Sequence, residues 1–179
     1  EWLGEDDSEL VPYEPTIYPQ GSFALGTAVR PLGDDEYDVN AVCLLQLAPD
    51  QVTQQRLKAL VGNRLKHPRS RYKDMIDPEE GGRRCWTIQY ADAAKFHLDV
   101  LPAVPDDFNW LIALGVPKEW AESAICVTDR ETWDIDPEWP LSNPKGYVAW
   151  FKDRMRTRFD EAKRALAMER HADIEEIED

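Results

Sequence analysis

A chain of 179 residues, 42% of them hydrophobic, is long enough for one globular domain with a core of its own. Its formal net charge of −14 argues against gripping a long nucleic acid by its phosphates, which needs a basic surface. No run of about 18 apolar residues is present, so nothing reads as a membrane span.

The opening EWLGEDDSEL carries no methionine, no basic start and no apolar stretch, so it reads as a chain beginning inside a longer protein, without a secretory signal. Cys43, Cys85 and Cys126 are far apart and odd in number, a pattern that fits neither a zinc site nor a disulfide framework and predicts a reducing cytoplasm. The charge is uneven. Residues 1–50 hold one basic and 11 acidic side chains, whereas residues 51–73 carry Arg56, Lys58, Arg64, Lys66, Arg69, Arg71 and Lys73. That run reads as a solvated helix face and loop, or as a wall attracting a polyanionic small molecule such as a triphosphate.

In chain order, TIYPQ (residues 16–20) is strand-like and enters a Gly21-Ser22 turn, after which SFALGTAV reads as a short helix capped by Ser22. The turn has neither the G-x-G-x-x-G spacing of a dinucleotide fingerprint nor the lysine of a P-loop. EYDVNAVCLLQL (36–47) predicts a strand that becomes wholly apolar. PDQVTQQRLKALVGNRL (49–65) predicts a helix after the cap Asp50, with Val52, Leu57, Leu60 and Val61 near helical spacing. A polar connection over 67–83 leads to RCWTIQYA and KFHLDVLPAVP, two strands so closely joined that they should be antiparallel neighbours. Residues 105–145 are loop-rich, and Trp110, Trp120, Trp133 and Trp139 read as core and loop anchors. From about Pro144 a long charged helix begins.

Alternation along the second strand sends Glu36, Asp38 and Asn40 to one face. Two acidic groups and an amide at the edge of an apolar run repel one another and lose solvent, and a metal ion resolves both problems. FHLDVLP places Asp99 inside another apolar strand, where an unpaired carboxylate is costly. Meeting in one sheet, the two segments offer hard oxygen ligands for magnesium; separately they are surface or capping carboxylates. His97 is assigned to the face of its strand opposite Asp99, as a packed or hydrogen-bonded histidine. A Gly21-Ser22 turn at a helix start offers N–H groups, a hydroxyl and a positive dipole end to a phosphate. Beside two magnesium ions, that arrangement suits nucleotidyl transfer.

QGSFALGT, DEYDVNAVCLL, RRCWTIQYADAAKFHLDVLPAVPD and SNPKGYVAWF, in this order, resemble the bacterial cGAS/DncV-like nucleotidyltransferases of the polymerase-beta-like superfamily, over most of residues 15–160. The resemblance implies an α+β fold, a mixed sheet flanked by helices, with a catalytic core over residues 1–143 and the start of a helical region over 144–179. It implies an enzyme that joins nucleoside triphosphates (ATP, with GTP or a pyrimidine nucleotide) into a cyclic di- or trinucleotide and releases pyrophosphate. Two Mg2+ ions, or Mn2+, serve as cofactors, and the product acts on an effector in anti-phage defence, with a regulatory protein as a further partner. Residue by residue, Gln20, Gly21 and Ser22 match the phosphate-holding turn, while Asp38, Asn40 and Asp99 match the three metal ligands.

Asn40 departs from the family pattern, which has Asp there. Its neutral oxygen can bind magnesium without the charge that holds two dications together, and it reads as an engineered trap, a natural variant or a position that Glu36 partly covers. The ending HADIEEIED soon after the long helix reads as a truncation of the helical region. Two alternatives stand beside the synthase: a catalytically impaired nucleotide-binding domain, and a nucleotidyltransferase that modifies protein or tRNA.

Overall fold

The computed structural model describes residues 3, 5, 8–29, 37–76, 81–90, 96–134 and 138–170. Glu36 therefore lies outside the described residues. Six strands form one sheet: β1 (Thr16–Gln20), β2 (Tyr37–Leu44), β3 (Trp86–Gln89), β4 (Phe96–Pro105), β5 (Ile125–Val127) and β6 (Leu141–Ser142). The order is β1-β2-β4-β5-β6, with β3 also paired to β4. β2 and β4 run parallel, joined through α2 (Gln54–Leu65), and every other pair is antiparallel. The mixed sheet flanked by helices is the α+β architecture expected from the sequence.

Two apolar layers cover the sheet. On one face Cys43, Val100, Val104, Ile88 and Trp86 pack with Leu57, Leu60, Val61 and Leu65 of α2. Burial of these side chains is worth roughly 1.5–3 kcal/mol each. Gly62 is fixed by this packing, because a Cβ there would stand 2.2 Å from the Trp86 ring. Trp86 also donates its indole N–H to the Lys58 carbonyl at 2.9 Å. On the other face Val42, Leu101, Ala103, Ile125 and Val127 form a smaller cluster with Tyr18, Leu44 and Cys85.

The helix boundaries differ from the sequence reading at two caps. α1 spans only Gly21–Leu25, with Gln20 at its N-cap and no side-chain cap, so Ser22 lies inside the helix; Gly26, left-handed at φ 73°, ends it. Asp50 belongs to a short 3-10 turn, and the cap of α2 is Thr53, whose hydroxyl accepts from the Arg56 N–H at 3.1 Å. Thr serves because its side chain reaches an N–H of the first turn, which lacks an intrahelical acceptor.

The loop-rich stretch after β4 contains α3 (Phe108–Ala113) and α4 (Lys118–Ala121). α5 runs from Pro144 to Arg170; Asn143 caps it by accepting from the Gly146 N–H at 2.8 Å. Among the described residues, no helix is long and apolar enough to cross a membrane. The three cysteines are free.

Candidate active site

The parallel register of β2 and β4 sets Asp38 opposite His97 and Asn40 opposite Asp99. Paired residues share a face, and so do positions two apart, so these four side chains project from the same side of the sheet. β1 adds Gln20 opposite Asn40, and β3 adds Thr87 opposite Asp99. A polar row, Gln20, Asn40, Asp99 and Thr87, thus crosses four strands, with Asp38 and His97 in the next row. Further along both strands the same face becomes the small apolar cluster of Val42 and Leu101. The polar ends of β2 and β4 therefore stand on a rigid, buried base.

One ligand atom each from Asp38, His97 and Asp99 lies within 4.8 Å of the others. His97 Nε2 stands 3.3 Å from Asp38 Oδ1, with the His97 side chain 30% exposed and Asp38 60% exposed. Asp99 is held from its other flank, where the Thr87 hydroxyl donates to Oδ1 at 2.5 Å. The expectation that Asp38 and Asp99 converge is met by the geometry. The assignment of His97 to the opposite face is wrong: residues 97 and 99 are two apart, and a strand repeats its facing every second residue.

Gly21 adopts φ 64°, in the left-handed region where a side chain is strained. A Cβ on it would lie 3.8 Å from Asn40 Cβ and Nδ2. The turn backbone therefore runs alongside the central polar row, which places Gln20 and Gly21 beside Asn40, with Ser22 next in the chain. With five residues, α1 contributes little macrodipole; what it offers an anion is the N–H groups of its first turn, which have no intrahelical acceptor.

The basic run over residues 51–73 does not form a wall beside this site. α2 packs against the opposite face of the sheet. Lys58 and Arg64 are buried there. The Lys58 ammonium donates to the carbonyls of Gly82, Arg83 and Cys85, and Arg64 reaches Glu5 at 3.4 Å. Lys66 stacks over the Trp86 ring. Of these, Lys58 holds the loop ahead of β3.

That loop is anchored a second time. Arg83 makes a two-pronged pair with buried Asp129, both contacts at 2.7 Å, and Arg84 adds two at 3.1 Å. The Glu131 N–H donates to Asp129 Oδ1, and the Asp129 N–H donates to Gln54 Oε1. The Arg83 hydrogen bonds hold the Asp129 carboxyl well below the usual carboxylate range, against the opposing effect of burial. Cys85, which faces the site, has its thiol pushed up to about 12, by burial first and then by the Asp99 charge, so it stays protonated at neutral pH.

The donor set of Asp38, His97 and Asp99, two carboxylates and an imidazole, fits a divalent cation. Two ligands on opposite sides of an ion at about 2.1 Å span about 4.2 Å, close to the 4.8 Å within which these atoms lie. Asn40, central in the row, adds a neutral amide.

Comparison with known proteins agrees with the fold. Residues 15–102 match the family described as cyclic GMP-AMP synthase DncV-like, nucleotidyltransferase domain. A c-di-GMP synthase of Roseivirga ehrenbergii is 29% identical over 152 residues, 85% of this chain and 35% of that protein. Among solved structures, the Bradyrhizobium diazoefficiens CD-NTase CdnG in complex with GTP superposes with a TM-score of 0.59 at 21% identity, over 83% of this chain and 36% of its own. The Vibrio cholerae DncV cyclic AMP-GMP synthase gives 0.56 at 21% identity, over 85% and 39%. The chain thus spans little more than a third of the length of these relatives.

Proposed function

The chain belongs to the cGAS/DncV-like nucleotidyltransferases, and on that footing we propose that it is the catalytic core of a cyclic di- or trinucleotide synthase of bacterial anti-phage signalling. The observation that carries this reading is the meeting of Asp38 and Asp99 on one sheet face beside the Gly21 turn. In the proposed reaction a nucleoside triphosphate seats its phosphates against the N–H groups of Gly21 and Ser22, with Gln20 at the rim. Asp38, Asn40 and Asp99 face the reacting phosphate. A pair of divalent cations, Mg2+ in the family pattern, would there activate the attacking hydroxyl and neutralise the triphosphate as pyrophosphate leaves. Thr87 holds Asp99 by donating to one carboxylate oxygen.

A second reading is favoured by Asn40: a nucleotide-binding domain with impaired turnover, because the central position of the row carries no charge. Incubation of the purified protein with all four nucleoside triphosphates and a divalent cation, followed by mass analysis, separates the readings. Cyclic oligonucleotides with released pyrophosphate support the synthase. Nucleotide attached to protein or tRNA supports a transferase of another kind, and triphosphate binding without product supports the impaired domain.

A further inference from the structure

We propose that His97 is itself a metal ligand, so that an ion bound between Asp38 and Asp99 carries an imidazole nitrogen and the site prefers Mn2+ to Mg2+. The inference rests on the nucleotidyltransferase reading of this face. Three observations lead to it. His97 shares the face of Asp99 and lies directly across the strand pair from Asp38. Its ligand atom falls within the same 4.8 Å cluster as the two carboxylates. Asn40, which stands between Gln20 and Asp99 at the centre of the polar row, carries a neutral amide and adds no charge to the cluster.

Ligand chemistry then decides the ion. Mg2+ demands hard oxygen donors in near-octahedral array and gives up its waters reluctantly. An imidazole nitrogen is a poorer partner for it than for first-row transition ions, of which Mn2+ also accepts carboxylates readily. With two carboxylates, one imidazole and one amide, this face offers less charge and a softer donor than three carboxylates would. The 3.3 Å approach of His97 Nε2 to Asp38 Oδ1 sets the two donors side by side before any ion arrives.

The probe is Mn2+ alone, added to the purified chain and followed by electron paramagnetic resonance, with pulsed detection of directly bound 14N. The expected result is one Mn2+ site with a 14N coupling that disappears in His97→Ala, together with a loss of Mn2+ affinity of about tenfold or more. Mg2+ should displace the Mn2+ only in large excess. His97 is partly exposed, so the variant should fold; should it not, the wild-type 14N signal and the Mg2+ competition decide alone. Mn2+ bound without 14N coupling, yet weakened by Asp38→Asn and Asp99→Asn, overturns the role of His97 and leaves the nucleotidyltransferase site standing. A coupling that persists in His97→Ala also overturns that role. Mn2+ that binds independently of Asp38 and Asp99 overturns both readings.

Discussion

Thr87 lies directly across β3 and β4 from Asp99 and donates its hydroxyl to Oδ1 at 2.5 Å, so a neutral residue on a neighbouring strand fixes the orientation of a carboxylate in the proposed metal site. A partner of this kind is typically worth 10–100-fold in metal affinity or activity. Thr87→Val keeps the shape and β-propensity of the side chain but removes the donor. Divalent-ion affinity should fall by about tenfold or more, and Thr87→Ser should restore most of it. Calorimetric titration of the three proteins with Mn2+ measures this. Equal affinity for Thr87→Val and wild type would mean that the hydroxyl plays no part in ion binding.

At Gly21 the constraint is the backbone. With φ at 64°, any L side chain is strained there, by about 1–2 kcal/mol. Gly21→Ala should lower the stability by that amount, read from urea unfolding. The added methyl would stand 3.8 Å from Asn40. That is ordinary contact, so the loss in triphosphate binding should come from the distorted turn. Binding that weakens without any loss of stability would contradict the strain argument.

Asp129 governs the loop that delivers β3 to the site. Its carboxyl is held below the ordinary range chiefly by Arg83, so its contribution to stability is fully present above about pH 4 and is lost as pH falls further. Asp129→Ala removes the bonds to Arg83, Arg84 and the Glu131 N–H, at a cost of about 2–4 kcal/mol at pH 7. The gap between variant and wild type should narrow between about pH 4 and pH 2. Urea melts at several pH values test this, and a gap constant with pH would show that Asp129 acts only by packing.

Much of this was legible in the residues. β1 falls on TIYPQ as read, and the strand carrying Asp38 and the strand carrying Asp99 announce themselves as apolar runs interrupted by charge. What escaped depends on register and on choices between similar local solutions. Thr87 gains its role only because the β3–β4 pairing sets it opposite Asp99, and the intervening residues do not fix that register. Asp50 and Thr53 are both good caps, and tertiary packing of α2 selected Thr53. The seven basic residues read as one feature, although helix geometry turned Lys58 and Arg64 inward. His97 was within reach: two-residue alternation alone puts it beside Asp99.

Asn40 gives the sharpest test of the catalytic proposal. It sits opposite Gln20 on one side and Asp99 on the other, at the centre of the polar row. If a triphosphate is held by the Gly21 turn and by ions on Asp38 and Asp99, binding survives with a neutral amide at that centre. Turnover is more sensitive, because a carboxylate at that centre would help hold the cations that neutralise the charge developing at the transferring phosphate. A preorganised electrostatic contribution of this kind is worth roughly 3 kcal/mol, about a hundredfold in rate. Asn40→Asp in the full-length protein should therefore raise cyclic-nucleotide synthesis by about two orders of magnitude, while triphosphate affinity changes much less. Product formation and nucleotide binding measured for both versions, with Mg2+ and with Mn2+, decide the matter. Equal rates, or a gain confined to binding, would remove Asn40 from the set of metal-facing residues.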